Sequence, residues 1–277
     1  MRRYLFLGIC LCGLLWPVAA QEGARLDTFS CPIVGFSVAG IVPSPSLSQA
    51  SGFGGTGVAP TMADLYKPPY LDFGIHFIYK TQRNWVFSVD GELWFGMNSD
   101  NLKYRTDRMG SVFSRDSIVI GTNGTDAMVT CYNRHIAIQA EVGKIIPLFP
   151  QKNPNSGLLL KAGGGYQRGQ SIFMLNDVNA PQIDDDYALL YDHQRHGLML
   201  TEAVGYWFMS NHANLVNFSI AFEVSQLWSR STRDYVIDYR AGLSGKDESH
   251  YFDLLYTLRF TWMFPLKGKT VREYYFY

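Results

Sequence analysis

The sequence predicts an all-β fold, an eight-stranded antiparallel up-and-down transmembrane β-barrel of the outer-membrane type. Three observations carry that expectation. The first is the stretch His250–Phe264, which alternates with period two, so that successive side chains point to opposite faces of a strand. Phe252, Leu254, Tyr256, Leu258, Phe260, Trp262 and Phe264 share one unbroken apolar face, while Asp253, Thr257, Arg259 and Thr261 share the other. A soluble barrel turns its polar face to water outside; this pattern suits lipid outside and a packed polar interior. The second is the rhythm of the connections, alternately long and short, as in barrels with short periplasmic turns and longer external loops. The third is the placing of aromatic residues. Tyr79, Trp85, Phe208, Phe218, Trp262 and Phe264 fall at the short-turn ends, and Tyr70, Phe95, Tyr132, Trp228 and Phe252 at the long-loop ends, two belts suited to two membrane interfaces.

Each strand follows from its own alternation. Pro32–Val42 presents Val34, Phe36, Val38 and Val42 on one face. After a Ser/Gly/Pro-rich loop, Tyr70–Lys80 places Leu71, Phe73, Ile75, Phe77 and Tyr79 outward and Asp72, Gly74, His76 and Lys80 inward. A tight turn, Thr81–Asn84, leads to Trp85–Asn98, with Asp90, Glu92 and Asn98 opposite the apolar face. The fourth strand runs from about Cys131 to Ile146, with Gln139 and Glu141 inward; the fifth is Gly157–Met174, with Lys161 and Gln167 inward. The sixth, Gly197–Met209, is ambiguous; Glu202 is placed inward, which sends Met199, Ala203, Gly205 and Trp207 to lipid. The seventh, Asn217–Ser229, turns Glu223 and Ser225 inward, and His250–Phe264 closes the barrel against the first strand. These spans exceed the 9–11 residues needed to cross a bilayer, so some strands project beyond it.

Composition and the N-terminus agree with export. Residues 1–20 read as a signal peptide: Arg2 and Arg3, an apolar run from Tyr4 to Trp16, then Pro17-Val-Ala-Ala20, with cleavage after Ala20. The run is shorter than the roughly 20 residues of a spanning helix. The chain divides into this signal, a periplasmic lead-in over 21–31, the barrel over 32–266 and a periplasmic tail over 267–277. A mean hydropathy of −0.06 excludes a polytopic helical membrane protein. Balanced charge, 24 basic and 24 acidic residues, gives no footprint for nucleic acid. Of four cysteines, Cys10 and Cys12 leave with the signal; Cys31 and Cys131 fall near opposite ends of the barrel, too far apart for a bridge.

The chemistry-bearing candidates are Asp72, Lys80, Asp90, Glu92, Glu141, Lys161, Glu202, Glu223, Asp253 and Arg259, all placed inside. An eight-stranded barrel is just wide enough for its side chains to fill. These charges therefore read as a packed ion-pair network, with a proton or ion path as the sharper alternative. Gly52-Phe-Gly54-Gly-Thr-Gly57 matches a dinucleotide fingerprint but lies mid-loop with no helix after it. Gly163-Gly164-Gly165 marks a barrel corner. His193 and His196 with Asp184, Asp185, Asp186 and Asp192 have the composition of a metal motif but read as solvated loop residues, and Lys103, Arg105, Arg108 and Arg115 form a basic loop that is either simply solvated or in contact with lipopolysaccharide phosphates. Asn123-Gly-Thr125 is a glycosylation sequon in form only. His76 and His135 project inward with no serine partner evident in the sequence, so no catalytic residue, cofactor or metal is expected.

From Leu158 onward several segments carry a resemblance: Leu160-Lys-Ala-Gly-Gly-Gly-Tyr166, Asn179-Ala-Pro-Gln182, Gly205-Tyr-Trp-Phe208, Asn217-Phe218, Arg233-Asp-Tyr235, Phe252-Asp-Leu-Leu-Tyr256 and the ending Arg272-Glu-Tyr-Tyr-Phe-Tyr277. Over roughly the last 120 residues the chain resembles uncharacterised small outer-membrane β-barrels of Bacteroidota-type bacteria with a C-terminal Glu-Tyr-rich tail; Phe276 departs from that tail's run of tyrosines. The resemblance implies a cell outer membrane location and supplies no catalytic residues. It leaves two expectations open: a plugged structural or interaction barrel with long surface loops, or an accessory subunit of a secretion or assembly machine. A lipid A-modifying enzyme or a small pore is the remaining alternative. Expected partners are outer-membrane lipids, the barrel assembly machinery during insertion and an envelope protein complex. Arg272, Glu273, Tyr274, Tyr275, Phe276 and Tyr277 are a candidate docking tail.

Overall fold

The computed structural model describes residues 28–44, 49–51, 70–97, 119–150, 153–176, 180–181, 194–210, 216–232, 234–238, 243–246 and 250–266. The signal peptide, the Gly52–Gly57 motif, the basic loop residues Lys103–Arg115, Asn98 and the tail after Leu266 lie outside them.

Eight long strands follow one another around a closed antiparallel sheet: β1 Cys31–Pro43, β2 Tyr70–Lys80, β3 Trp85–Met97, β4 Asp126–Pro147, β5 Gly157–Asn176, β6 Gln194–Met209, β7 Asn217–Ser231 and β8 His250–Pro265. Each pairs with its sequence neighbour, and β8 pairs with β1, for example Phe260 with Val38. No long strand is left with an open edge, which is what allows a β-sheet to sit in hydrocarbon.

The register fixes the shape. Starting at Ile33, the pairs run through Ile78, Ser88, Glu141, Gly163, Thr201, Ser225 and Leu255 and return to β1 at Pro43, ten residues along. A shear of ten over eight strands gives a tilt of about 40°, from the strand rise and spacing. The lumen is correspondingly narrow.

The facing of most strands follows the alternation. Large apolar side chains are exposed all round the barrel, among them Phe36, Phe73, Val89, Ile138, Leu200, Phe222 and Phe260, with Phe77 63% and Leu258 62% exposed. An apolar surface that encircles the molecule has no place in water; it matches a lipid-facing band. At the short-turn end, Thr81–Asn84 reverses the chain with Asn84 at φ 59°, a left-handed conformation that asparagine tolerates. Asn84 Nδ2 donates to the Pro154 carbonyl, 2.8 Å, and so ties the first short turn to the second.

Some expectations need correction. Glu202 does not point inward: Met199, Thr201, Ala203, Trp207 and Met209 do, all buried, while Leu198, Leu200, Val204 and Tyr206 are exposed and Glu202 stands half-buried among them. The reason is Thr201, whose hydroxyl meets Gln139 and Ser225 inside the barrel. Tyr70 is likewise inside, 1% exposed, rather than in the outer belt. Strands β4 and β5, of 22 and 20 residues, are longer than their periodicity suggests. Three short features fall where only loop was expected: Gln49–Ser51 beside β8, a Val119–Ile120 extension beside β4, and a ribbon of Asp234–Asp238 with Leu243–Lys246.

Candidate functional site

The interior is stacked in three layers, and the inward positions of each strand spell them out. Ile41, Tyr70, Trp94, Ala137, Met199, Leu227 and Leu255 form an apolar layer toward the long-connection end. Cys31, Ile33, Ile78, Val86, Ile145, Leu159, Trp207, Met209 and Met263 form another toward the short turns. Between them the same strands place Ser37, His76, Asp90, Glu92, Gln139, Glu141, Thr201, Glu223 and Arg259, with Lys161 reaching Glu141. Along β3, for instance, the inward sequence is Val86, Ser88, Asp90, Glu92, Trp94.

Arg259 is the hub of the polar layer. Its Nη1 lies 2.8 Å from Asp72 Oδ2, its Nη2 2.7 Å from Glu92 Oε1, and its Nε 3.0 Å from Glu223. One guanidinium thus bridges carboxylates from β2, β3 and β7 across the lumen. Its planar fork of five donors is suited to this. Glu92 also accepts from Trp94 Nε1 (3.1 Å) and Gln139 Nε2 (2.8 Å), which anchors the hub to the apolar layer above and to β4. A second centre pairs Lys161 with Glu141, which also receives Ser88. Burial of this many charges is tolerable only because each meets an opposite charge or a hydrogen-bond partner.

Beside the hub lies an arrangement that the sequence did not disclose. Arg259 Nη1 donates to Ser37 Oγ (3.0 Å); Ser37 donates to His76 Nε2 (2.7 Å); His76 Nδ1 donates to Asp90 Oδ1 (2.7 Å). These donor roles are assigned from the network, with the ring proton placed on Nδ1. The three residues come from β1, β2 and β3, so only register could have brought them together. The spacing matches nucleophile, base and orienting acid. Access does not: Ser37, His76 and Asp90 are 4%, 2% and 0% exposed between two apolar layers, and a guanidinium occupies the serine oxygen. Gly74 faces the same point, where a Cβ would stand 2.5 Å from Ser37 Oγ and 2.8 Å from His76 Nε2.

The remaining site residues take separate places. Asp72, Asp90, Glu92, Glu141, Lys161, Glu223 and Arg259 belong to the polar layer. Lys80 lies below the lower apolar layer, where Nζ donates to Asn155 Oδ1 at 2.8 Å and the Phe29 carbonyl at 3.1 Å. Asp253 lies above the upper one, 4.0 Å from Arg195, whose guanidinium stacks 3.7 Å over the Tyr251 ring. Arg195 is an inward residue that the sequence places in a loop. Glu202 belongs to no interior cluster. Phe252, Leu254, Tyr256, Leu258, Phe260, Trp262 and Phe264 share the outer face of β8.

Cys31 lies opposite Lys80 at one end of the barrel and Cys131 opposite Phe173 at the other. Gly163 and Gly165 face inward against β4: a Cβ on either would stand 2.3 Å from a β4 carbonyl oxygen, so close strand approach requires glycine there. Asn123 of the sequon accepts from Thr125 N and Oγ1, the hydrogen bonds of a turn. Of the metal motif, His196 faces outward against Tyr166 and Arg230, and His193 and the aspartates lie outside the described residues.

No family model and no curated protein matches the chain. Among solved structures it is similar to Ail, the attachment invasion locus protein of Yersinia pestis, at 11% identity and a TM-score of 0.39, over 85% of this chain and 97% of that one. It is also similar to the outer membrane protein OprG of Pseudomonas aeruginosa, at 11% identity and a TM-score of 0.43, over 86% and 97%. Neisserial surface protein A aligns at 10% identity and a TM-score of 0.32, over 86% and 98%.

Proposed function

We propose that the chain is an integral protein of a bacterial outer membrane, exported by a cleaved signal peptide, whose barrel is a plugged scaffold for its long outward connections. The observation that carries this is the layered interior. A polar layer cross-braced by Arg259 through Asp72, Glu92 and Glu223 lies between two apolar layers that include Trp94 and Trp207. An ion crossing it would have to shed its water twice at apolar layers and displace a paired guanidinium between them. The interior therefore supports rigidity rather than transport, and the binding surface is outside.

Reconstitution into planar bilayers tests this. The expected record is a flat baseline from protein whose insertion is shown by heat-modifiable migration. Reproducible unitary current steps would overturn the plug. The reading assigns no reaction to Ser37, His76 and Asp90: Ser37→Ala is expected to leave the membrane lipid mass spectrum as in the parent strain. Loss of a lipid species in both Ser37→Ala and the gene deletion would replace it with an enzyme.

A further inference from the structure

The outer face at the long-connection end carries a feature that neither the plug nor the lipid band uses. One apolar rung crosses four strands in register: Tyr166 on β5, Leu198 on β6, Trp228 on β7 and Phe252 on β8. The next outward-facing rung is Arg168, His196, Arg230 and His250, again in register. Arg134 on β4 stands one further outward position along, opposite Gln170. Outward-facing neighbours on adjacent strands have Cβ atoms roughly 5 Å apart. Arg168 and Arg230 flank His196 and so stand two strand spacings, roughly 10 Å, apart; with Arg134 they put three guanidinium groups on one flank directly above the apolar rung. Arg134, Arg168 and Arg230 are exposed, and no carboxylate pairs with any of them among the described residues.

The flank is also organised. Arg230 Nε donates to His196 Nε2 at 3.2 Å, which makes that nitrogen the acceptor; His196 Nδ1 then carries the proton and meets the Tyr166 hydroxyl. Arg230 is held in place by its neighbour on the same rung, and among the described residues its other nitrogens are left for a ligand. Like charges on one flank with no counter-charge among the described residues favour an anion between them. The level along the strand, just beyond the aromatic rung, is where headgroups meet a barrel. Arginine forks match phosphate oxygens in pairs.

We infer that Arg134, Arg168 and Arg230, with His196 positioning Arg230, form a docking site for the phosphate groups of an outer-leaflet lipid. The inference rests on the membrane reading above and identifies a ligand class for its outer surface. The distinguishing measurement is equilibrium binding to the purified full chain in neutral detergent, read by Trp fluorescence or by the thermal midpoint. The probes are bis-phosphorylated lipid A, dephosphorylated lipid A and inorganic phosphate.

The phosphorylated lipid is expected to bind at least tenfold more tightly than its dephosphorylated form. The Arg168→Gln/Arg230→Gln variant is expected to bring the two within about twofold. Arg83→Gln, at the opposite end of the barrel, is expected to keep the tenfold preference, and millimolar inorganic phosphate is expected not to compete. Equal binding of the two lipids by the parent protein, or an undiminished preference in the double variant, overturns the site. Full competition by inorganic phosphate overturns the lipid as its source. Heat-modifiable migration of every variant establishes that the barrel is intact; if the parent protein itself fails to insert into vesicles, it is the membrane reading that falls.

Discussion

At the scale of single residues, the hub of the interior depends on one cation. Arg259 compensates Asp72, Glu92 and Glu223 at once, so its removal takes the shared counter-charge from three buried carboxylates. Arg259→Met is expected to lower stability by about 3–5 kcal/mol, the usual cost of breaking a buried pair from one side. Urea unfolding in detergent or liposomes measures it. In that background Glu92→Gln removes a charge that has become a liability, so it should recover part of the loss although it is destabilising alone. Simple additivity of the two changes would show that they do not share a network. Gly74 is the second sensitive point. A methyl group there pushes on Ser37 Oγ and His76 Nε2 together, and Gly74→Ala is expected to cost about 1–3 kcal/mol, as overpacking does. A cost below a few tenths would mean that Ser37 can rotate away freely and that its contact with His76 is incidental.

At the scale of the element, β6 shows where periodicity stops being informative. Both faces of Gly197–Met209 carry one polar residue, Thr201 or Glu202, and both carry aromatics, Trp207 on one and Tyr206 with Phe208 on the other. Charge alone favours Glu202 inside, but the interior at that level already holds the carboxylates Glu141 and Glu223, and Thr201 fits the remaining gap beside Gln139 and Ser225. The more reliable signal was volume. Leu198, Leu200, Val204, Tyr206 and Phe208 make a continuous bulky face for lipid, whereas Ala203 and Gly205 suit a crowded lumen. Strands β2 and β3 left no such choice, since their acids and bases all fall on one face, and the unbroken apolar face of β8 left none either. The Ser37–His76–Asp90 contact lay beyond reach for another reason: it depends on the stagger between β1, β2 and β3, which no single strand encodes. Glu202 on the outer face yields a test of the facing. Glu202→Leu is expected to stabilise the barrel by about 1–2 kcal/mol, because a lipid-facing carboxylate is unfavourable though less so than a lipid-facing Lys or Arg. Marked destabilisation in liposomes would return Glu202 to the interior.

At the scale of the whole molecule, the alternating connection lengths made strand number and order legible, and hydrogen-bonded closure by β8 and β1 completes them. The same rhythm fixes an orientation. The short turns at Thr81–Asn84 and Asn153–Ser156 share one end with the lower apolar layer, and the hairpin tip Gly121–Thr125 belongs to the other. If the long connections face the medium, the cation flank of Arg134, Arg168 and Arg230 faces the outer leaflet, and the two ends of the barrel differ in access from outside the cell. Thr122 and Gln82 are exposed at the opposite ends and can each carry a cysteine, with Cys31 buried and Cys131 replaced by serine to silence the background. Thr122→Cys is expected to react with a membrane-impermeant maleimide on intact cells. Gln82→Cys is expected to react only after the outer membrane is permeabilised. The reverse pattern would invert the barrel and place the phosphate site in the inner leaflet. Labelling of both sites in intact cells, with the envelope shown to be sealed, would remove the chain from the membrane altogether.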